Sequence, residues 1–210
     1  MKPLFAPADA LAHLAAADDR LAVVIARAPR CALKPKRLAS LFSVLMRAIV
    51  YQQLNGKAAA TILGRVEALF PDGVVQPGAL LAMPEDKLRA AGLSRNKLAS
   101  LRDLAAKIID GTVPSPAAAR KMSDAELVTR LTEVRGIGPW TVHMLLIFDL
   151  GRPDVLPSGD YGVRMGFKKL YRKRREPSPA LLERHAKRWR PYRSVAAWYL
   201  WRVHEIVLPV

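Results

Sequence analysis

The chain has 210 residues, of which 51% are hydrophobic and 25% charged, so it has the material for a sizeable core and is not a disordered tail. Its formal charge of +16 points to a polyanionic partner, nucleic acid first and an anionic membrane surface second. A single cysteine, Cys31, excludes a disulfide framework within one chain and any four-cysteine zinc or iron–sulfur site.

The N-terminus does not read as a secretory signal, because Asp9, His13, Asp18 and Asp19 interrupt its apolar run. No window of about 18 residues is apolar and uncharged, which predicts no transmembrane helix and no membrane partner. A cytoplasmic, chromosome-associated protein is the simplest placement.

Apolar residues recur at spacings of three and four, and the whole chain reads as all-α. The first helix is predicted over Asp9–Ala28, ended by Pro29. The second is predicted over Leu38–Leu54, with Leu41, Leu45, Ile49 and Gln53 on one stripe, and Asn55-Gly56 breaks it. A third runs over Lys57–Phe70. Short helices follow at Pro77–Met83 and Glu85–Ala91. Gly92 then ends one helix and Ser94 caps the next, which reaches Asp110. Pro114-Ser115-Pro116 reads as a turn. Ser123 and Glu126 form a capping box that opens a helix to Val134.

Arg135-Gly136-Ile137-Gly138-Pro139-Trp140 comes next, followed by a helix to Leu150. Glycine at 136 and 138 suits a tight turn with positive φ, and Pro139 suits the first position of a helix. Such a helix–hairpin–helix offers backbone N–H groups to a phosphate without reading sequence. By itself the pattern also fits an ordinary interhelical connection. Residues 151–159 read as a Pro/Gly loop, and Asp160 opens another helix. An anion at that position can stabilise an oxocarbenium-like sugar or orient a water, although a plain N-cap aspartate explains most such residues. Two further helices are predicted, over Ser178–Arg190 and Arg193–Val207. Between Tyr161 and Arg193 there are twelve Lys/Arg against two Glu, densest at Arg164, Lys168, Lys169 and Arg172 to Arg175, as expected of a DNA backbone contact. The four histidines show no metal-ligand spacing.

Leu131 to Gly166 resembles the helix–hairpin–helix base-excision DNA glycosylases, and within them the DNA-3-methyladenine glycosylase II family. Three further blocks agree in order and spacing: Ala48 to Ala59, Gly92 to Lys97, and Trp189 to Ser194 with Ala197 to Arg202. The resemblance covers roughly residues 38–207. It implies a two-lobed helical core with a cleft between the lobes. Residues about 38–120 would form one lobe, and the N-terminal segment with about 121–210 mainly the other. Only about 37 residues precede that core, so the N-terminal β-rich domain of some members is expected to be absent or minimal.

The resemblance also implies roles. Asp160 is the catalytic carboxylate. Trp140 stands where bifunctional relatives carry a catalytic lysine, which implies base excision without strand cleavage. Trp140, Tyr161 and His143 line the base pocket, although a hydrogen-bonded core histidine is the stronger reading of His143. Gln53, with Leu54 next, is the wedge that fills the space left by a flipped base. Gly136, Gly138, Thr141, Lys57, Arg95 and Arg164 contact the DNA backbone. The carbonyls of Thr132, Val134 and Ile137 would bind sodium or potassium, and no other cofactor is expected. Flipping is required because a base inside a duplex is unreachable. Alkylated purines carry positive charge, which an electron-rich ring attracts by about 0.5–2 kcal/mol. The expected protein is therefore a monomeric alkylpurine glycosylase acting on double-stranded DNA with damaged bases. Two alternatives are a non-catalytic lesion-binding module and a glycosylase for uracil, deaminated or oxidised bases.

Overall fold

The computed structural model describes residues 4–36, 38 and 40–207, whose regular structure is all helical, with no strand among them. The chain divides into two compact units, one of residues 38–142 and one of residues 1–37 with 143–210. The division falls at residue 142 rather than near 120. Hydrogen bonds explain the difference, because the hairpin at 135–138 is tied to residues 52 and 103.

Helix α1 spans Pro7–Ala17 and α2 spans Asp19–Arg27, where the sequence predicts one continuous helix. The break is at Asp18, whose backbone is extended at φ −156° and ψ 100°. Its carboxylate caps α2 by accepting from the Leu21 N–H at 3.2 Å. The same carboxylate is only 6% exposed, and its Oδ2 accepts from Tyr171 Oη at 2.5 Å and Trp189 Nε1 at 3.0 Å, with His185 Nε2 also at 3.0 Å. Burial alone would raise the Asp18 pKa; the hydrogen bonds outweigh it and hold the carboxyl well below its usual range. The extended Asp18 thus interrupts the helix, caps α2 and sets its carboxylate against Tyr171, His185 and Trp189.

The 38–142 unit is built from α3 to α9 and the first turn of α10. Helix α3 (Leu41–Tyr51) is capped by Ser40 and buries Leu41, Phe42, Leu45 and Ile49. Residue 39, inside the predicted second helix, lies outside the described residues. Helix α4 (Gly56–Glu67) is capped by Asn55, and the short helices α5 (Pro77–Ala82) and α6 (Glu85–Ala90) follow. Helix α7 (Arg95–Ile109), capped by Ser94, packs against α3 and α5 through Leu98, Leu101 and Leu104. Each such fully buried side chain contributes about 1.5–3 kcal/mol. Helix α8 (Pro116–Lys121) continues the Pro114–Pro116 turn with Ser115 as its cap, and α9 (Asp124–Thr132) is capped by Ser123. Helix α10 (Pro139–Met144) runs on through a π turn to Asp149.

The other unit is completed by α11 (Tyr161–Leu170), α12 (Pro179–His185) and α13 (Arg193–Arg202), with a 3-10 turn at Ala186–Trp189. Helix α13 is buried almost all round, and it packs against α11. The seam between them depends on two glycines four residues apart. A methyl group on Gly166 would collide with the Leu200 carbonyl, and one on Gly162 would lie 2.8 Å from Trp201 Cδ1. Only glycine lets the two backbones come this close.

Candidate active site

Asp160 is the N-cap of α11, as its position in the sequence predicts. Its Oδ1 accepts two hydrogen bonds, from the Val163 N–H at 2.8 Å and from Trp201 Nε1 at 2.8 Å. The first is an ordinary capping bond. The second comes from α13 and is made possible by Gly162, because a side chain there would displace the indole. Phe148 stacks on the Trp201 ring at 5.5 Å and fixes its other side. Trp201 is thus a site residue to which sequence reasoning assigned no role. Its donor lies 41 residues from Asp160, and no local pattern announces it. The Gly162/Gly166 spacing was the available signal.

The loop before Asp160 is pinned to the start of α13. Arg193 grips Asp154 with Nε at 2.7 Å and Nη2 at 2.9 Å, a bidentate pair. Ser194 Oγ accepts from the Val155 N–H at 2.9 Å. The Asp160 N–H closes a turn onto the Pro157 carbonyl at 2.9 Å. The carboxylate is therefore held from both sides of the chain. Tyr161, next to it, is 70% exposed and presents a ring to solvent. His143 is half-buried near the end of α10.

Arg164 departs from its predicted role. Its Nη2 pairs with Glu176 at 2.7 Å and its Nε donates to the Pro177 carbonyl at 2.9 Å. That arginine braces the 171–178 loop instead of standing ready for a backbone phosphate.

In the 38–142 unit the structure joins the predicted wedge turn to the predicted hairpin. Gln52 Nε2 donates to the Gly136 carbonyl at 2.8 Å, and Lys97 Nζ donates to the Val50 carbonyl at 2.7 Å. Desolvation lowers the Lys97 pKa, the physical cost of using an ammonium as a helix C-cap. Gln53 lies beyond the end of α3, not on its stripe, and has a left-handed backbone at φ 57°. That conformation costs a non-glycine residue roughly 1–2 kcal/mol. Gln53 is exposed, and Leu54 beside it is 38% exposed. These are the two side chains at the tip of the turn, as a wedge requires.

The hairpin is held from beneath by α7. The Arg135 N–H donates to Asp103 Oδ2 at 2.7 Å, and Gly136 (φ 81°) rests on Ser100, whose Oγ would be 2.8 Å from any Cβ. Gly138 is different. It has no positive φ, and nothing lies within 4 Å of where a Cβ would be, so neither packing nor backbone geometry inside the protein calls for glycine there. The first bond of α10 runs from the Val142 N–H to the Gly138 carbonyl at 3.3 Å, so the amides of Gly138 and Thr141 precede it. The Thr141 side chain is buried, so only its backbone can serve an outside ligand. Trp140 is 53% exposed; Lys57 and Arg95, in the first turns of α4 and α7, are exposed. Among the described residues the carbonyls of Thr132 and Ile137 accept no backbone amide, and that of Val134 accepts one, from Ile137 at 3.0 Å. These are oxygens of the type a monovalent cation takes.

A family model described as HhH-GPD superfamily base excision DNA repair protein matches residues 46–191. The chain is similar to the DNA-3-methyladenine glycosylase 1 of Schizosaccharomyces pombe, at 38% identity over 166 residues that cover 79% of this chain and 73% of the relative. Among solved structures it is similar to the Schizosaccharomyces pombe 3-methyladenine DNA glycosylase in complex with abasic DNA. That match has a TM-score of 0.78 at 34% identity, over 95% of this chain and 98% of the other. It is also similar to a DNA-3-methyladenine glycosidase from Bacillus halodurans, with a TM-score of 0.84 at 34% identity, over 96% and 90% of the two chains.

Proposed function

The chain belongs to the HhH-GPD superfamily of base excision DNA repair proteins, and on that premise we propose that it is a monofunctional DNA glycosylase, which hydrolyses the N-glycosidic bond of N3- and N7-methylated purines. The observation that carries this reading is the Asp160 carboxylate, gripped by the Val163 N–H and the Trp201 indole N–H on one oxygen. Two fixed donors orient the anion in advance, so little reorganisation is needed when positive charge develops on the sugar.

The order of events follows from the parts. Gln53 or Leu54 enters the stack while the damaged nucleotide leaves it. The hairpin amides and the exposed Lys57 and Arg95 hold backbone phosphates. Tyr161, exposed next to Asp160, and Trp140, exposed on α10, each offer a ring of the kind that receives a base, the roles the resemblance gives them together with His143. A methylated purine is cationic, so it is already a good leaving group and an electron-rich face attracts it. Asp160 then stabilises the sugar cation or aligns the attacking water. With Trp140 in place of an amine, no Schiff base to the sugar forms and the strand stays intact. The Thr132, Val134 and Ile137 carbonyls would hold sodium or potassium, which stiffens the hairpin and takes no part in the chemistry. The enzyme acts as a monomer on double-stranded DNA in the cytoplasm. No helix among the described residues is long and apolar enough to cross a membrane.

The test is a panel of duplexes, each with one lesion: 3-methyladenine, 7-methylguanine, uracil, hypoxanthine and 8-oxoguanine. Release of the methylated purines without strand scission is expected. Asp160→Asn is expected to cut single-turnover release at least 100-fold while affinity for abasic-site DNA is retained. Unchanged release by that variant would sink the mechanism. Release of only uracil, hypoxanthine or 8-oxoguanine would replace the substrate class. Tight binding to abasic DNA with no release from any duplex would make the chain a lesion reader instead.

A further inference from the structure

A shallow groove of about 590 Å³ runs along α11. At one end is the exposed ring of Tyr161, the neighbour of Asp160. Its floor includes Met165 and Lys168, which share a face of α11 with Tyr161 at helical spacing. Lys173, Arg174 and His204 also line it, and no carboxylate does.

The cations of this region do two different jobs. Arg164 is paired with Glu176, and Lys169 Nζ donates to the Val203 carbonyl at 2.9 Å, so both are used inside the protein. Lys168, Lys173 and Arg174 have no hydrogen-bonded or ion-paired side-chain partner among the described residues. The helix dipole accounts for a lysine in the last turn of α11, but not for Lys173 and Arg174 beyond it. Their placement has a cost. The chain turns at Arg172, left-handed at φ 50°, where a helix end ordinarily uses glycine. The Lys173 N–H then closes back onto the Lys168 carbonyl at 2.9 Å, which brings the two segments together. Three unpaired cations of one groove, gathered at the expense of backbone strain, describe a site for a polyanion.

We propose that α11 lies along the DNA strand that carries the extruded nucleotide and that this groove takes its phosphodiester backbone, three or four nucleotides away. The proposal rests on the glycosylase reading, because Asp160 must face the sugar of that nucleotide. From Asp160 to Lys168 is eight residues of helix, about 12 Å at 1.5 Å per residue. One strand of a duplex advances about 3.4 Å per nucleotide, so with α11 along the strand about 12 Å corresponds to three or four nucleotides. The groove is thus a second, sequence-independent grip on one flank of the lesion.

The test uses the full chain and a triple variant, Lys168→Ala with Lys173→Ala and Arg174→Ala. Affinity is measured by titration into a duplex with a central tetrahydrofuran abasic analogue, across a range of salt. The slope of log K against log salt is expected to fall by roughly 2–3, at about 0.9 per phosphate, and affinity at low salt to weaken at least tenfold. Duplexes trimmed to two base pairs beyond the lesion on one side or the other locate the contact. Trimming one flank should erase the difference between variant and wild type; trimming the other should preserve it. An unchanged slope overturns the proposal, and so does a difference that survives the trimming of both flanks in turn, since that reports net charge alone. Absence of base release by the wild-type chain from every duplex defeats the glycosylase reading, yet the slope and the flank dependence still decide whether the groove holds DNA.

Discussion

The seat of Asp160 and the wedge–hairpin block are both held in place by atoms far away in the chain, but by different physics. Asp160 sits on a packed seam, where Gly166 lies under the Leu200 carbonyl and Gly162 under the Trp201 indole. The block of residues 51–55 and 135–138 is held by polar links to backbone, from Gln52 to Gly136, from Lys97 to Val50 and from Arg135 to Asp103. A packed seam cannot yield by degrees, because a methylene has nowhere to go. A hydrogen bond in the block is worth about 1 kcal/mol net between neutral groups and about 2 kcal/mol where Lys97 or Asp103 takes part, so that region can lose one and keep its shape. A carboxylate that must meet a developing charge calls for the first kind of support. A wedge that must enter DNA and withdraw is compatible with the second.

The largest effect should come from breaking the seam. Gly166→Ala forces α11 away from α13 and is expected to destabilise the protein by about 3 kcal/mol, read as a lower denaturant midpoint. If the midpoint holds, the seam is softer than the contrast requires. The next effect isolates chemistry from packing. Trp201→Phe keeps a ring against Phe148 but removes the N–H that Asp160 accepts. A hydrogen bond to a charged group is worth about 2 kcal/mol, so single-turnover base release should slow roughly 30-fold. Affinity for abasic DNA should stay the same. Loss of binding in step with the rate would mean that the indole is only structural.

Local signals explain what could be read from the sequence. The hairpin is spelled out in consecutive residues, Gly136 to Pro139, and Asp160 stands at a Pro/Gly-to-helix boundary, so both were legible. Trp201 was not, because its meaning depends on a partner in another helix. Gly162 and Gly166 were visible but ambiguous, since two glycines in a helix ordinarily weaken it. Asp18 looked like one more polar residue inside a helix. Only Tyr171, His185 and Trp189, more than 150 residues later, make it a break point. Arg164 was assigned to DNA because a basic run does not say which of its members are already paired.

Gln52 offers a smaller and more selective break. Gln52→Leu removes the link between the wedge turn and the Gly136 carbonyl while keeping a side chain of similar size. About 1 kcal/mol should be lost, felt as roughly a fivefold smaller extruded fraction, measured by the fluorescence of 2-aminopurine placed beside an abasic analogue. Affinity for undamaged duplex, which does not need the wedge, should be unaltered. A parallel fall in both would show that the wedge turn and the hairpin do not act separately.

The smallest effect on stability belongs to Gly138, and it separates the two glycines of the hairpin. Gly136 is demanded from within, by a φ of 81° and by Ser100 beneath it. Gly138 is demanded by neither, so Gly138→Ala should leave the denaturant midpoint unchanged, or raise it slightly by restricting the unfolded chain, by less than about 1 kcal/mol. Its side-chain-free surface is useful only to something that approaches from outside. A phosphate seated on the amides of Gly138 and Thr141 would meet the new methyl group, and affinity for duplex DNA should fall several-fold with no change in the fold. Equal affinity in the variant would place the backbone grip elsewhere, on Lys57 and Arg95. In that event the hairpin would serve the wedge through Gln52 and would hold no phosphate itself.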